Sequence, residues 1–289
     1  MRVVAVLSFL VCVAVPVWAG STLQEDCEAG DAIACNNWGH DLEHGDGATQ
    51  DKVRARQVYE RACDLGQAHS CSNVGLFLQD GRGGETDVAR ALGYLQQGCE
   101  GGDPKGCAWV AKIHRSFVGY KDAVRAVEYA QIGCDMDDTS ACVWVGIAYE
   151  DGAGVPKDLN RAVAQYSLAC DMADGMGCYN AALVLKHKHN AMLGDDRFHR
   201  ANDLARRGCD LDHAKSCETY AYSLQTGRAV AKDVQRAREL YEQTCDQGSG
   251  LGCSNLSKMF RSGEGGPKNL VRARDLKRQA CDLGYARAC

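Results

Sequence analysis

The stretch RAVEYAQIGCDMDDTSACVWVGIAYEDGAGVPKD, Arg125 to Asp158, decides the fold. Its cysteines, Cys134 and Cys142, stand eight positions apart. In one continuous helix they would lie about 12 Å from each other, beyond the roughly 4.4 to 6.8 Å that a disulfide spans between Cα atoms. The chain must therefore turn between them, and Asp137-Asp138 supplies a break. Both flanks read as helix. After Cys142, apolar Val145 and Tyr149 fall at +3 and +7 with small Gly146 at +4, a helical stripe with close backbone packing. Gly152 suits the end of that helix, and Asp158 suits the N-cap of the next.

The pattern recurs along the chain. Eight C-x7-C pairs follow one another: Cys27 with Cys35, Cys63 with Cys71, Cys99 with Cys107, Cys134 with Cys142, Cys170 with Cys178, Cys209 with Cys217, Cys245 with Cys253 and Cys281 with Cys289. Their starts are 36, 36, 35, 36, 39, 36 and 36 residues apart, the period of a solenoid of two-helix units. Arg-Ala precedes every first cysteine from the second pair on, from Arg54-Ala55 to Arg272-Ala273. Gly45, Gly81, Gly152, Gly227 and Gly263 mark ends of first helices. Asp51, Asp87, Asp122, Asp158, Asp233 and Asn269 open second helices, and Asp103 with Pro104 opens a first helix. Each bond should clamp the end of a second helix to the start of the next first helix, worth about 2 to 3 kcal/mol for so short a loop. Metal binding is the competing use of the cysteines, but C-x2-C is missing and x7 is not a usual zinc spacing.

Composition narrows the class. The chain has 289 residues, 17 Cys, 45% hydrophobic and 25% charged residues, and a net charge of −5. It is neither disordered nor collagen-like, and an acidic surface does not invite nucleic acid. Residues 1–19 read as a cleaved signal peptide: Arg2, an apolar run from Val3 to Val15, then Val17 and Ala19 at the −3 and −1 positions. The run is too short for a membrane span, and no later segment approaches one. Cys12 leaves with the signal, and sixteen paired cysteines in the mature chain, residues 20–289, point to a secreted or periplasmic protein. The expected layout is one solenoid domain of about seven complete helix pairs, ending in a partial first helix held by Cys289, and acting as a monomer without cofactor or metal.

The small residue after an apolar one in the first helix, the loop Asp151-Gly152-Ala153-Gly154-Val155-Pro156-Lys157-Asp158 and the basic-Ala pair in the second helix resemble Sel1-like repeats, relatives of the tetratricopeptide repeat. With C-x7-C in every unit the chain is similar to the Helicobacter cysteine-rich protein subfamily, across its whole mature length. The resemblance implies an all-α, right-handed α-solenoid of Sel1-like helix pairs, a tetratricopeptide-like superhelix. It also implies β-lactam binding and hydrolysis as a candidate activity. The residues lend that activity little: no Ser is followed by Lys three positions on, and Lys-Thr-Gly is absent. The chain departs from the pattern in a shortened loop around Phe117 to Lys121 and in extra residues around His187 to Arg197.

Counted from the second cysteine, positions +2, +5, +6 and +9 lie opposite the disulfide side of the first helix and would form a continuous strip, the expected concave wall. At +2 stand Asn37, Asn73, Trp109, Trp144, Asn180, Thr219 and Asn255. The asparagines offer a donor and an acceptor to an extended peptide backbone, and the adjacent Trp109 and Trp144 offer an apolar anchor. Tetratricopeptide domains bind peptides with Asn on this helix, which is what the resemblance adds. Bridging between helices is the competing role for the Asn, and core filling for the Trp. The rest of the strip reads as mixed: Phe77, Ile113, Ile147, Val184 and Met259 beside Asp80, Lys112, Asp151 and Lys258. His40 and His44, one turn apart with Asp41 nearby, could hold a metal, although a polar face is the simpler reading. His187-Lys188-His189 reads as a solvated helix end. The regular Arg row is expected to pair with the N-cap acids or a neighbouring unit.

Overall fold

The computed structural model describes residues 22–47, 49–187 and 196–289. The signal-peptide reading of residues 1–19 and the Lys188-His189 pair lie outside them. After a short helix α1 (Leu23–Glu28), seven helix pairs follow. The first helices are α2 (Ala32–His44), α4 (Ala68–Asp80), α6 (Pro104–Ser116), α8 (Thr139–Asp151), α10 (Gly175–His187), α12 (Ala214–Thr226) and α14 (Gly250–Ser262). The second helices are α3 (Lys52–Asp64), α5 (Val88–Glu100), α7 (Ala123–Asp135), α9 (Leu159–Asp171), α11 (Arg197–Asp210), α13 (Val234–Asp246) and α15 (Leu270–Asp282). A 3-10 turn, Ala286–Ala288, follows. No strand occurs among the described residues, and none of their helices is long and apolar enough to cross a membrane.

Local chemistry sets the helix ends. Gly45, Gly81, Gly152, Gly227 and Gly263 each close a first helix in the left-handed conformation. Asp51, Asp87, Asp122, Asp158, Asp233 and Asn269 each accept the N–H of the Arg three residues on, capping the second helix. The N–H of each of these caps donates to the +7 carbonyl of the first helix, as from Asp51 to Leu42 and from Asp158 to Tyr149. The short loop of the third unit keeps the bond, from Asp122 to His114. There α6 ends in extended geometry at Phe117 instead of at a glycine.

The Ala of every Arg-Ala pair is buried, from Ala55 to Ala273, while Arg54, Arg90, Arg125, Arg161 and Arg236 stay exposed. Arg125 and Arg161 approach the N-cap carboxylates Asp122 and Asp158 at 3.6 Å, and Arg90 reaches Glu60 of the preceding unit at 3.6 Å. The row serves the units.

All eight expected disulfides are closed, and each joins the partners that the spacing pairs. Cys27 is bonded to Cys35, Cys63 to Cys71, Cys99 to Cys107 and Cys134 to Cys142. Along the second half, Cys170 is bonded to Cys178, Cys209 to Cys217, Cys245 to Cys253 and Cys281 to Cys289. The Cα separations run from 4.4 Å at Cys209 and Cys217 to 5.0 Å at Cys281 and Cys289. The second cysteines Cys35, Cys71, Cys107, Cys178 and Cys253 are buried in the first turns of α2, α4, α6, α10 and α14, so each clamp lies inside the stack. In each bridge, the third residue after the first cysteine has positive φ, from Gly30 to Gly284, and that residue makes the turn the spacing demands.

Helices pack on their chain neighbours, and first helices also touch the next first helix along α4, α6, α8, α10 and α12. Position +4 sets the approach within a unit. A Cβ on Gly39 would come within 2.8 Å of the Tyr59 ring, and one on Gly146 within 2.5 Å of Tyr166. Position +6 lies between units: Phe77, Ile113, Val184 and Met259 are 0 to 1% exposed. These four therefore belong to the core and do not line the outer strip expected of them, because the stripe that touches the next unit is wider than a helical wheel of one isolated helix indicates.

Candidate functional site

The residues at +2 follow the first helices in register, but they are not equivalent. Asn36 at +1 gathers the first group: its Oδ1 accepts from Ser70 Oγ at 2.9 Å and from Asn73 Nδ2 at 3.5 Å, and its own Nδ2 donates to Asn37 Oδ1 at 3.3 Å. Asn37 and Asn73 thus belong to a polar bridge between the first two units. Asn180 is half-buried on α10. Asn255 Oδ1 accepts from Lys258 Nζ at 3.1 Å and lines a cavity with Thr219.

Trp109 and Trp144 are brought together. Both are half-buried and both wall one pocket between α6 and α8, with Lys105 and Lys112 beside them. Lys112 Nζ lies 3.7 Å from the Trp109 ring centre, and the Arg115 guanidinium lies 3.0 Å from that of Trp144. Trp144 also borders a second cavity of about 210 Å³, walled by Ala111, Ala126, Ala130, Ile147 and Ala148 and edged by Lys112, Arg115 and Lys121. His114 lines it, 5% exposed. Its Nδ1 faces the Tyr120 carbonyl at 2.9 Å and so carries the proton, while its buried Nε2 has no hydrogen-bond partner.

The cavity has a local cause. Position −4 before the first cysteine faces +4 of the same unit, and +8 lies near it. In the first unit Tyr59 fills the space over Gly39 and donates to Glu43 at 3.1 Å; in the fourth, Tyr166 lies over Gly146 and donates to Glu150 at 2.9 Å. In the third unit these positions hold Ala111, Ala130 and Arg115, and in the fifth Ala182, Ala205 and Lys186. The ring is lost, and a cation replaces the Glu that accepted from it.

In the fifth unit this cation, Lys186, reaches across to the next unit. Its Nζ donates to Ser223 Oγ at 2.6 Å and to the Thr219 carbonyl at 3.1 Å. It borders a cavity of about 530 Å³ lined by Tyr179, Lys215, Glu218, Tyr222, Arg228 and Arg287 among others. Burial, with Arg228 nearby, pushes the Lys186 ammonium down to about 8. Glu218 is turned to the Ser249 hydroxyl, and burial raises its carboxyl above the ordinary range. The +8 exchange of Glu for Arg, paired with Ala at −4, is the sequence signal for the first cavity, whereas the second has only the +8 cation Lys186 on its wall.

The Lys186–Ser223 contact is the amine and hydroxyl pairing that a Ser-Lys hydrolase would use, but Ser223 is 1% exposed. His40 and His44 stack at 4.2 Å, and His44 Nδ1 faces the His40 carbonyl at 3.0 Å. No group of three metal-ligating side chains occurs among the described residues.

A family profile described as Sel1 repeat matches residues 32–67, 68–103, 106–138, 139–174, 214–249 and 250–285. The unmatched unit is the one with the long connection between α10 and α11. Among solved structures, a protective antigen of uropathogenic Escherichia coli strains, described as displaying an SLR fold, aligns with a TM-score of 0.77 at 18% identity, over 92% of this chain and 58% of that one. The chain thus spans little more than half of that relative. A Sel1 repeat protein from Oxalobacter formigenes aligns with a TM-score of 0.76 at 19% identity, over 92% and 77%. Helicobacter pylori cysteine-rich protein B is 26% identical over 46% of this chain and 93% of that one, with a TM-score of 0.37. No curated protein matches the chain significantly.

Proposed function

The chain belongs to the Sel1 repeat family, and from that premise we propose that it is an exported, monomeric scaffold that binds a peptide or protein partner along the strip of its first helices. The observation that carries this reading is the pair Trp109 and Trp144, side by side, half-buried and walling one pocket under stacked cations. Buried aromatic anchors of this kind dominate binding energy at interfaces. Asn180 and Asn255 can hold partner backbone, and Asn37 and Asn73 can do so from the bridge they form. Eight disulfides belong to an oxidising environment. The periplasm or the cell exterior provides one, and cleavage after Ala19 would deliver the chain there.

The test is a pulldown with the oxidised mature protein, followed by the same measurement on W109A/W144A. The double variant should lose about 2 kcal/mol or more of binding, roughly thirtyfold in affinity. Undiminished binding would place the partner elsewhere. β-Lactam hydrolysis is the second reading, and the Lys186–Ser223 contact is the observation that favours it. Turnover of a chromogenic cephalosporin that disappears in S223A would establish it.

A further inference from the structure

The third and fifth units each place a cation at +8 opposite an Ala at −4, and each turns that cation toward a cavity. Among the described residues, none of Lys112, Arg115 and Lys121 at the first cavity has a carboxylate within 4.0 Å, nor do Lys186, Lys215, Arg228 and Arg287 at the second. At other +8 positions Glu43 pairs with Arg82, Gln225 bonds to Glu264, and Arg261 of the seventh unit is exposed to solvent. Lys112 and Lys186 are half-buried without the counter-charge that burial demands, while Arg115, Lys121, Lys215, Arg228 and Arg287 are exposed at the cavity rims; an acidic ligand can pair with both kinds. His114 also lines the first cavity, and its buried Nε2 has no partner; in the tautomer set by the Tyr120 carbonyl it is an acceptor, open to a ligand's backbone N–H.

The two cavities face the same way. The first is lined at +2, +5 and +6 of α8 by Trp144, Ile147 and Ala148. The second is lined at +2, +5 and +6 of α12 by Thr219, Tyr222 and Ser223 and at +2 of α14 by Asn255. They differ in lining. The first has apolar walls with cations at its edge, which suits an apolar side chain next to an acidic one. The second brings Lys186, Lys215, Arg228 and Arg287 around a mixed wall, which suits a carboxylate directly. Glu218 does not fill that role, because it is held by Ser249.

We propose that the partner is an extended acidic segment, which seats an apolar side chain and a neighbouring carboxylate in the cavity of Trp144, Arg115 and His114 and a second carboxylate at Lys186 and Arg228. This rests on the scaffold reading above and specifies its ligand. First helices stack directly from α6 to α12, at roughly 8 to 10 Å per step. The cavities are two to three steps apart, so an extended chain rising about 3.3 Å per residue joins them in roughly six to eight residues.

The probe is an acetylated, amidated peptide carrying Leu-Glu and a second Glu seven positions on, compared with its Gln counterpart and with inorganic phosphate, by fluorescence anisotropy or calorimetry on the oxidised protein. The Glu peptide should bind at least about tenfold more tightly than the Gln peptide, with affinity falling as salt rises. K186M and R115Q should each weaken it about tenfold. R228Q serves as a second probe of the Lys186 cavity, and circular dichroism verifies that each variant is folded. Equal affinity for the Glu and Gln peptides, or unchanged affinity in folded K186M, R228Q and R115Q, overturns the proposal. Phosphate displacing the peptide from both cavities at equal concentration would also overturn it, by making these free-anion sites. A partner captured through Trp109 and Trp144 that ignores K186M would leave the scaffold reading standing while this one falls. Peptide binding lost in K186M but unchanged in W109A/W144A would overturn the seat at Trp144, where both readings place a partner's apolar side chain.

Discussion

Ala173 shows at one residue what the C-x7-C turn requires. Every such turn has a positive-φ residue three after the first cysteine, and five of the eight are Gly; Asp137, Ala173 and Asp212 are not. An L side chain in the left-handed region costs about 1 kcal/mol or more, and alanine has no polar group to recover any of it. Ala173→Gly, at φ 63°, should stabilise the protein by about 0.5 to 1 kcal/mol after the greater freedom of glycine in the unfolded chain is counted. Urea unfolding would measure it. Lys186 supplies the pH-dependent case. It faces Arg228, Lys215, Arg287, Glu218, Tyr179 and Tyr222 around its cavity, and its ammonium is lowered from 10.5 to about 8. Between those two values the unfolded chain holds a proton that the native protein has released, so stability rises with pH in that window. Relative to K186M, the wild-type protein should therefore gain stability between about pH 8 and pH 10.5. A constant difference in unfolding free energy across that range would contradict the assignment.

At the scale of the element, the helix ends were legible residue by residue. The cap glycines and the Asp and Asn N-caps evident from residue type and spacing are the ones that close the hydrogen bonds, because capping depends on a few neighbouring atoms and little else. The small +4 residue was also legible, but its partner was not. Only packing shows that Gly146 makes room for the Tyr166 ring. Gly146→Ala should cost about 1 to 3 kcal/mol, since the Cβ meets a buried ring and not a flexible chain end; thermal unfolding of the variant gives the number. The strip is less legible. Phe77, Ile113, Val184 and Met259 share a face with the +2 residues on the wheel, yet the neighbouring unit covers them. Helical periodicity reports that a face is apolar and does not report how many neighbours bury it.

The whole molecule behaves as a chain of neighbours, each unit contacting the next ones along. Stability should therefore respond to where a clamp is removed. Replacing both Cys134 and Cys142 with Ala should cost about 2 to 3 kcal/mol and divide urea unfolding into two transitions, because the break falls mid-array. The same change at Cys281 and Cys289 should leave one main transition with early loss of hydrogen-exchange protection in α15. The sequence by itself determined the repeat, its length, the turn inside each disulfide and the capping of each helix, since all of these depend on residues a few positions apart. Only the tertiary structure decided which apolar residues lie between units, and which cations, Arg115 and Lys186 among them, border a cavity with no carboxylate within 4.0 Å. Those outcomes depend on side chains brought together from units roughly 36 residues apart, as Lys186 and Ser223 are, 37 positions apart in the chain.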